Sequence, residues 1–203
     1  MGKISVDIVL LPPPEIMNLC FEFNKEIIAR GGDITIFDRE TCIPHISMLM
    51  GVVEEEDLPS IVADLQSLAH DTKPLSLSIE ELLLTQIPNW YNNYSFTLSK
   101  LESLRELHHE IFSKLLNKFS FDPTLETIYP DPLPEEITLW RIRKFAERSD
   151  FTKFSPHITL GVGGDAELSF VWKREFTASQ IGIYHLGNYC TCVKEFARID
   201  LGK

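Results

Sequence analysis

Pro44-His45-Ile46-Ser47 and Pro156-His157-Ile158-Thr159 are two copies of one short pattern, and their histidines lie 112 positions apart (157 minus 45). A hydrophobic residue follows the hydroxyl in each copy, Met48 in the first and Leu160 in the second. The apolar and β-branched neighbours predict a strand for both copies. Because residues i and i+2 of a strand project from the same face, each copy directs an imidazole and a hydroxyl to one side of a sheet. The isoleucine then points to the other side.

Two such strands facing each other would bring two imidazoles and two hydroxyls into one site. A single histidine in a strand is usually structural, but two copies that share a proline and an isoleucine are hard to obtain by chance. Two imidazoles can act as a general base and a general acid near neutral pH, because an unperturbed histidine titrates near that range. Ser47 and Thr159 add two hydrogen-bond donors to the same site. The sequence leaves open whether His45 or His157 is the acid.

A metal site is the competing interpretation of two histidines. Metal hydrolases generally add a carboxylate, a cysteine or a third histidine at close spacing, as in H-E-x-x-H. Neither motif has a carboxylate within a helical turn, so we predict no metal and no other cofactor. The spacing of the four cysteines is typical neither of a disulfide framework nor of a zinc knuckle, and we predict reduced thiols at Cys20, Cys42, Cys190 and Cys192.

The two motifs resemble the signature of the two-histidine (2H) phosphoesterases, which include 2′-5′ RNA ligase-like proteins and cyclic nucleotide phosphodiesterases. That signature is two His-hydrophobic-Ser/Thr-hydrophobic tetrapeptides, and both copies match it completely. The resemblance extends over nearly the whole chain. It implies a bilobal α+β fold around a central cleft, with His45, Ser47, His157 and Thr159 as the catalytic residues.

The same resemblance implies metal-independent hydrolysis of 2′,3′-cyclic phosphates or 2′-5′-linked oligonucleotides. Joining of RNA ends is an alternative activity that the resemblance also allows. A module that binds a nucleotide or RNA in the same cleft without turnover is a third interpretation, from a different class of protein. The completeness of both motifs argues against that third interpretation, because a degenerate copy should have lost a histidine or a hydroxyl.

The order of predicted elements indicates an internal duplication within a single domain, residues 1–203. Each half contains a strand, a helix and a motif strand, which predicts two pseudo-symmetric lobes with antiparallel or mixed sheets. The lobes cover approximately residues 1–88 and 89–203, and the prediction allows terminal strands to be exchanged between them. A proline-rich insertion in the second half, from about Asp122 to Glu136, is predicted to be a loop.

Two further expectations concern the second half. Residues Glu175 to Tyr184 are predicted to form one long strand. His108 and His109 lie in a predicted helix from Leu101 to Phe119, and both are expected to be solvated.

The charge balance limits the substrate. Nineteen basic and 30 acidic residues give a formal net charge of −11, which argues against the broad basic face that grips duplex nucleic acid. We therefore expect a small nucleotide or a short single-stranded RNA, and a monomeric protein. No apolar run of 18 residues and no signal-peptide layout are present, so a cytoplasmic protein without a membrane partner is expected.

Substrate-binding residues are predicted from one basic stretch and one aromatic cluster. The basic stretch from Arg141 to Lys153 precedes the second motif; Lys153 and Arg143 are predicted to contact the substrate, although this stretch is also typical of a solvated helix face. Tyr94, with Trp90 and Tyr91 before it, is predicted to stack on a base. Packing at the edge of the core is the alternative role for this aromatic cluster.

Overall fold

The computed structural model describes residues 2–32, 42–86, 92–99, 101–130, 134–148, 153–165, 167–168 and 173–203. These residues form four helices: α1 (Pro14–Ala29), α2 (Leu58–Asp71), α3 (Glu102–Leu115) and α4 (Glu136–Arg148). They also form eight strands: β1 (Lys3–Leu11), β2 (Ile46–Glu54), β3 (Leu75–Gln86), β4 (Asn92–Leu98), β5 (His157–Val162), β6 (Arg174–Ala178), β7 (Gln180–Leu186) and β8 (Cys192–Asp200). No helix in this part of the chain is both long and apolar enough to span a bilayer. The aromatic residues Trp90 and Tyr91 lie outside the described ranges.

The strands form two four-stranded sheets, ordered β2-β1-β7-β8 and β5-β4-β3-β6. All strand pairs described in these sheets are antiparallel. Each motif strand is the edge of its sheet and pairs with the opening strand of its lobe, β2 with β1 and β5 with β4. The predicted bilobal α+β fold with two pseudo-symmetric lobes is therefore confirmed.

Each sheet draws strands from both halves of the chain. The first sheet joins β1 and β2 to β7 and β8, whereas β3 pairs with β4 and β6 in the second sheet. A division between residues 88 and 89 consequently does not separate the two sheets. Multiple crossings of this kind tie the lobes into one unit.

The prediction of one strand from Glu175 to Tyr184 is wrong. The chain leaves the second sheet after Ala178 and enters the first sheet at Gln180. Core-facing residues change there from even to odd positions, from Phe176 and Ala178 to Ile181 and Ile183. In a continuous strand, the residues on one face are either all even-numbered or all odd-numbered. The change was therefore the signal in the sequence that the chain passes from one sheet to the other.

The main hydrophobic core contains residues of both sheets and of α1, α2 and α3. Ile46 and Ile158 are completely buried in this core, as strand alternation predicts for both motifs. Helix packing is crossed between the lobes: α1 contacts β5 and α3 contacts β2. Each motif strand is thus supported from behind by a helix of the other half.

Candidate active site

The four motif residues line one cavity of about 600 Å³, whose walls come from both sheets and from α4. His45 and Ser47 enter it from the first lobe, and His157 and Thr159 from the second. Alternation explains this placement, because the intervening isoleucines occupy the core face of each motif strand. The fold therefore brings two imidazoles and two hydroxyls together.

The two imidazole rings are held in the same way. The Nδ1 atom of His45 lies 2.8 Å from the carbonyl oxygen of Ile43, and that of His157 lies 2.9 Å from the carbonyl oxygen of Ser155. A carbonyl only accepts hydrogen bonds, so Nδ1 carries the hydrogen in both rings. The Nε2 atom is consequently the nitrogen that gains and loses a proton.

A β-bulge follows the hydroxyl residue in both motif strands. In β2, Val9 pairs with Ser47 and Ile8 with Leu49, which leaves Met48 as the extra residue. In β5, Ser95 pairs with Thr159 and Tyr94 with Gly161, and Leu160 is the extra residue. A bulge bends its strand and redirects neighbouring side chains, so the two bulges help to set the direction of the hydroxyls.

Each bulge leaves a carbonyl that a helix of the other half satisfies. Nδ1 of His108, in α3, lies 2.8 Å from the Met48 carbonyl oxygen, while Nδ2 of Asn24, in α1, donates to the Leu160 carbonyl oxygen at 2.9 Å. Both polar side chains are buried. The ring of His108 is also stacked on Phe154, with the centroids 3.9 Å apart. These contacts connect the helices directly to the two motif strands.

The prediction that His108 is solvated is wrong, because this residue is completely buried, whereas its neighbour His109 is exposed. Successive residues of a helix are rotated by about 100°, and this rotation carries His109 off the buried face on which His108 lies. The apolar face with Leu104, Leu107 and Ile111 was the signal that placed His108 towards the core.

Asp7, which sequence reasoning missed, lies beside the first motif. The Ser47 hydroxyl donates to Oδ2 of Asp7 at 2.6 Å, and the same oxygen lies 3.7 Å from Nε2 of His45. The carboxyl group is completely buried, and burial raises the pKa of Asp7 well above its ordinary value. The sequence did contain a signal for this residue, because Asp7 is the single acidic residue inside the otherwise largely apolar strand β1.

The two histidines differ in their surroundings. Burial, together with the nearby His157 and against the opposing effect of the hydrogen bond to Ile43, lowers the pKa of His45 to about 4. His157 is exposed, so water can solvate its charged ring. Near neutral pH the site can therefore hold one neutral imidazole beside one that can carry a proton.

Among the described residues, one group has the side chains that a metal site would need. Asp7, His45 and Cys192 each offer one ligand atom, and these three atoms lie within 4.8 Å of one another. Oδ2 of Asp7 and Nε2 of His45 lie 3.7 Å apart, a distance that two ligands of one zinc ion could have, but Oδ2 of Asp7 is already bonded to Ser47. Burial also raises the pKa of Asp7 and the pKa of Cys192, which favours the protonated forms that do not bind a metal. The geometry supports acid–base chemistry better than metal binding.

Only one of the two basic residues that were predicted to bind the substrate lines the cavity. Lys153 lines the cavity and is exposed. Arg143 does not line it and instead donates to the carbonyl oxygen of Pro123 at 3.2 Å. Two residues earlier in α4, Arg141 does line the cavity, and a rotation of about 200° along the helix explains the difference.

The predicted role of Tyr94 does not fit its placement either. Its side chain is buried in the main core, because Asn93 and Ser95 on either side of it occupy the cavity face of β4. Packing of the core, the alternative role, is what the structure shows. Trp140 is an aromatic residue that does line the cavity, and sequence reasoning had not selected it.

The guanidinium of Arg141 is held in place by two neutral acceptors. It donates to Oδ1 of Asn93 at 3.2 Å and to the carbonyl oxygen of Tyr189 at 3.3 Å. Tyr189 and Cys190 have left-handed backbone conformations, with φ of 56° and 63°. Strained backbone of this kind is concentrated at functional sites, and here it forms part of the cavity wall.

Comparison with known proteins supports the fold. No family model matches the sequence, and no curated protein matches it. Among solved structures, TT0787 of Thermus thermophilus is 15% identical over 98% of both chains, with a TM-score of 0.61. Apo LigT of E. coli is 13% identical over the full length of both chains, with a TM-score of 0.52. LigT has also been solved with 3′-AMP, at 13% identity and the same TM-score.

This chain therefore shares the fold of TT0787 and LigT. The similarity covers at least 98% of this chain and so includes both sheets.

Proposed function

We propose that this protein is a metal-independent phosphodiesterase that hydrolyses 2′,3′-cyclic phosphates or 2′-5′-linked oligonucleotides. The observation that carries this proposal is the shared cavity of the two motifs, in which both rings are tethered at Nδ1 by equivalent carbonyls. Groups related by pseudo-twofold symmetry can approach one phosphorus from opposite sides. In-line displacement requires such an approach.

In this mechanism, His45 is the base and His157 the acid, because the buried ring favours its neutral form and the exposed ring can be charged. Nε2 of His45 takes a proton from water as the water oxygen attacks phosphorus. The bond from phosphorus to the leaving ester oxygen breaks, and Nε2–H of His157 protonates that oxygen. Exchange of protons with solvent restores both rings.

The hydroxyls of Ser47 and Thr159 donate to the nonbridging oxygens, where negative charge develops. A cavity of about 600 Å³ falls within the range that accommodates small ligands of nucleotide size. Lys153 and Arg141 supply positive charge at its wall, and Trp140 offers an aromatic face for a base. LigT, which shares the fold, has been solved with 3′-AMP and with ATP, which supports a nucleotide substrate.

The direct test is turnover of a panel of 2′,3′-cyclic nucleotides and 2′-5′-linked dinucleotides, with 3′-5′-linked dinucleotides for comparison. Chromatography of the products identifies which ester bond is cleaved. We expect hydrolysis of at least one cyclic phosphate or 2′-5′ linkage. Binding without turnover of any member would instead indicate a non-catalytic module.

Activity should be unaffected by chelators and should follow a bell-shaped pH profile. Turnover should rise as the pH increases through about 4, where His45 loses its proton, and should fall at alkaline pH as the acid loses its own. Rates measured with and without EDTA from pH 3 to 10 check both points. Loss of activity with EDTA, restored by a divalent ion, would contradict metal-independent catalysis.

Affinity should depend only weakly on salt. A site that contacts one or two phosphates of a single strand has a logarithmic salt slope of about −0.7 per phosphate, which is less than about three-fold per phosphate between 50 and 200 mM. Titrations of a cyclic nucleotide, a short oligomer and a duplex at two salt concentrations measure this slope. Tight duplex binding with a steep slope would contradict the proposed substrate class.

A further inference from the structure

Asp7 is a buried acidic group to which the two-histidine reaction assigns no role. Its Oδ2 atom accepts a hydrogen bond from Ser47, and no described residue provides a hydrogen-bond partner for its Oδ1 atom. Buried polar atoms are nearly always satisfied, so each exception in a protein calls for a reason such as catalysis. Asp7 lies next to both His45 and Ser47, so a role in the first motif would supply such a reason.

The second lobe has a carboxamide at the equivalent position. Asp7 pairs with Met50, three residues after Ser47, and Asn93 pairs with Val162, three residues after Thr159. Asp7 and Asn93 are therefore related by the pseudo-symmetry of the lobes, and both are buried. A carboxamide has nearly the shape of a carboxyl group but does not ionise. One lobe thus places a permanently neutral group where the other places Asp7.

The environment of Asp7 favours the neutral carboxylic acid. Burial disfavours the charged form, and His45 beside it is itself held neutral by burial. Burial also raises the pKa of the Cys190 thiol to about 12 and raises the pKa values of Cys192 and Tyr184. The titratable groups that the structure places next to Asp7 include His45, Tyr184, Cys190 and Cys192, while Arg141 and Cys42 lie one group further away, beside Cys190 and Cys192.

We propose that Asp7 is a positioning residue that donates a hydrogen bond from Oδ2 to the Ser47 oxygen and thereby directs the Ser47 proton to the phosphate. This inference rests on the proposed function, in which Ser47 donates to a nonbridging oxygen. In the arrangement observed, Ser47 donates to Asp7 at 2.6 Å. For Ser47 to donate to a phosphate instead, the carboxyl proton of Asp7 must lie between Oδ2 of Asp7 and the Ser47 oxygen.

The ionised form of Asp7 would act in the opposite way. A carboxylate only accepts hydrogen bonds, so it would retain the Ser47 proton. Ser47 would then present an oxygen lone pair to the phosphate, and the carboxylate would add a second negative charge close to it. Only the neutral acid is compatible with a Ser47 hydroxyl that assists the reaction.

A double-mutant cycle tests whether Asp7 acts through Ser47. We expect Asp7→Asn to retain kcat/KM for 2′,3′-cyclic AMP within about three-fold at pH 7, because the amide Nδ2 can replace the carboxyl donor. Asp7→Ala should lose about ten-fold or more, and Asp7→Ala combined with Ser47→Ala should be no worse than Ser47→Ala alone. Losses that multiply in the double variant would overturn the inference.

The pH profile gives a readout that a purely structural role would not change. As the pH rises, ionisation of Asp7 should lower kcat/KM of the natural protein, and Asp7→Asn should lack this contribution. Loss of the proton from His157 affects both proteins equally, so their difference isolates Asp7. Identical alkaline limbs would overturn the inference. If thermal unfolding shows that Asp7→Ala is not folded, the comparison of the natural protein with the isosteric Asp7→Asn variant tests the inference by itself.

Failure of the proposed function is distinguishable from failure of this inference. If no phosphodiester is turned over, the same variants are compared by calorimetric titration with 3′-AMP. Weaker binding by Asp7→Ala but not by Asp7→Asn supports the positioning role, and equal binding by all variants overturns it. If the natural protein is active and only the Asp7 results disagree, the phosphodiesterase proposal stands without this residue.

Discussion

Replacing either His45 or His157 by alanine should lower kcat about 10²–10⁴-fold, with a smaller effect on substrate binding. The physical reason is that each variant removes one of the two cavity-lining groups that exchange protons in the proposed mechanism. His45→Ala removes the base, so the acidic limb near pH 4 should disappear with it. Steady-state rates with a cyclic phosphate, measured across pH for both variants, check the size of the loss and its assignment.

Histidines outside the cavity provide the matched controls for this experiment. His70 and His109 are exposed, and neither lines the cavity. His70→Ala and His109→Ala should therefore keep kcat within about two-fold, since surface substitutions rarely alter a distant site. A near-normal rate for His45→Ala or His157→Ala would show that the substituted histidine is structural.

Removing the side chains that satisfy the two bulges should destabilise the protein and slow it. His108→Ala leaves the Met48 carbonyl without this partner and removes the stack on Phe154, so we expect a loss of about 2–4 kcal/mol. Asn24→Ala, which removes the donor to Leu160, should lose about 1–3 kcal/mol. Urea unfolding measures both losses.

The same variants connect stability to catalysis. Because each bulge directly follows a hydroxyl that donates to the phosphate in the proposed mechanism, His108→Ala and Asn24→Ala should also lower kcat under conditions in which they remain folded. Ser113→Ala is a suitable control, since it removes an exposed hydrogen bond on α3 and should change stability by less than about 0.5 kcal/mol. Unchanged unfolding of both variants would show that the bulges do not depend on these helices.

The periodicity of strands and helices accounts both for predictions that are confirmed and for residues that the structure places elsewhere. The core positions of Ile46 and Ile158 follow from strand alternation, which depends only on neighbouring residues. The same rule, applied to β4, would have placed Tyr94 opposite the cavity-facing Asn93 and Ser95. Helical rotation similarly separates the cavity-lining Arg141 from Arg143. In both cases the periodicity of the element, and not the composition of the stretch, indicates which side chain faces the cavity.

The sequence by itself determined the two motifs, their alternating faces and the α+β character of the fold, because each of these depends on residues a few positions apart. Only the tertiary structure decided which groups surround those motifs. Asp7 meets Ser47 across 40 positions, His108 meets Met48 across 60, and Asn24 meets Leu160 across 136. The first contact arises from the pairing of β1 with β2 and the other two from crossed helix packing, and no local periodicity encodes either.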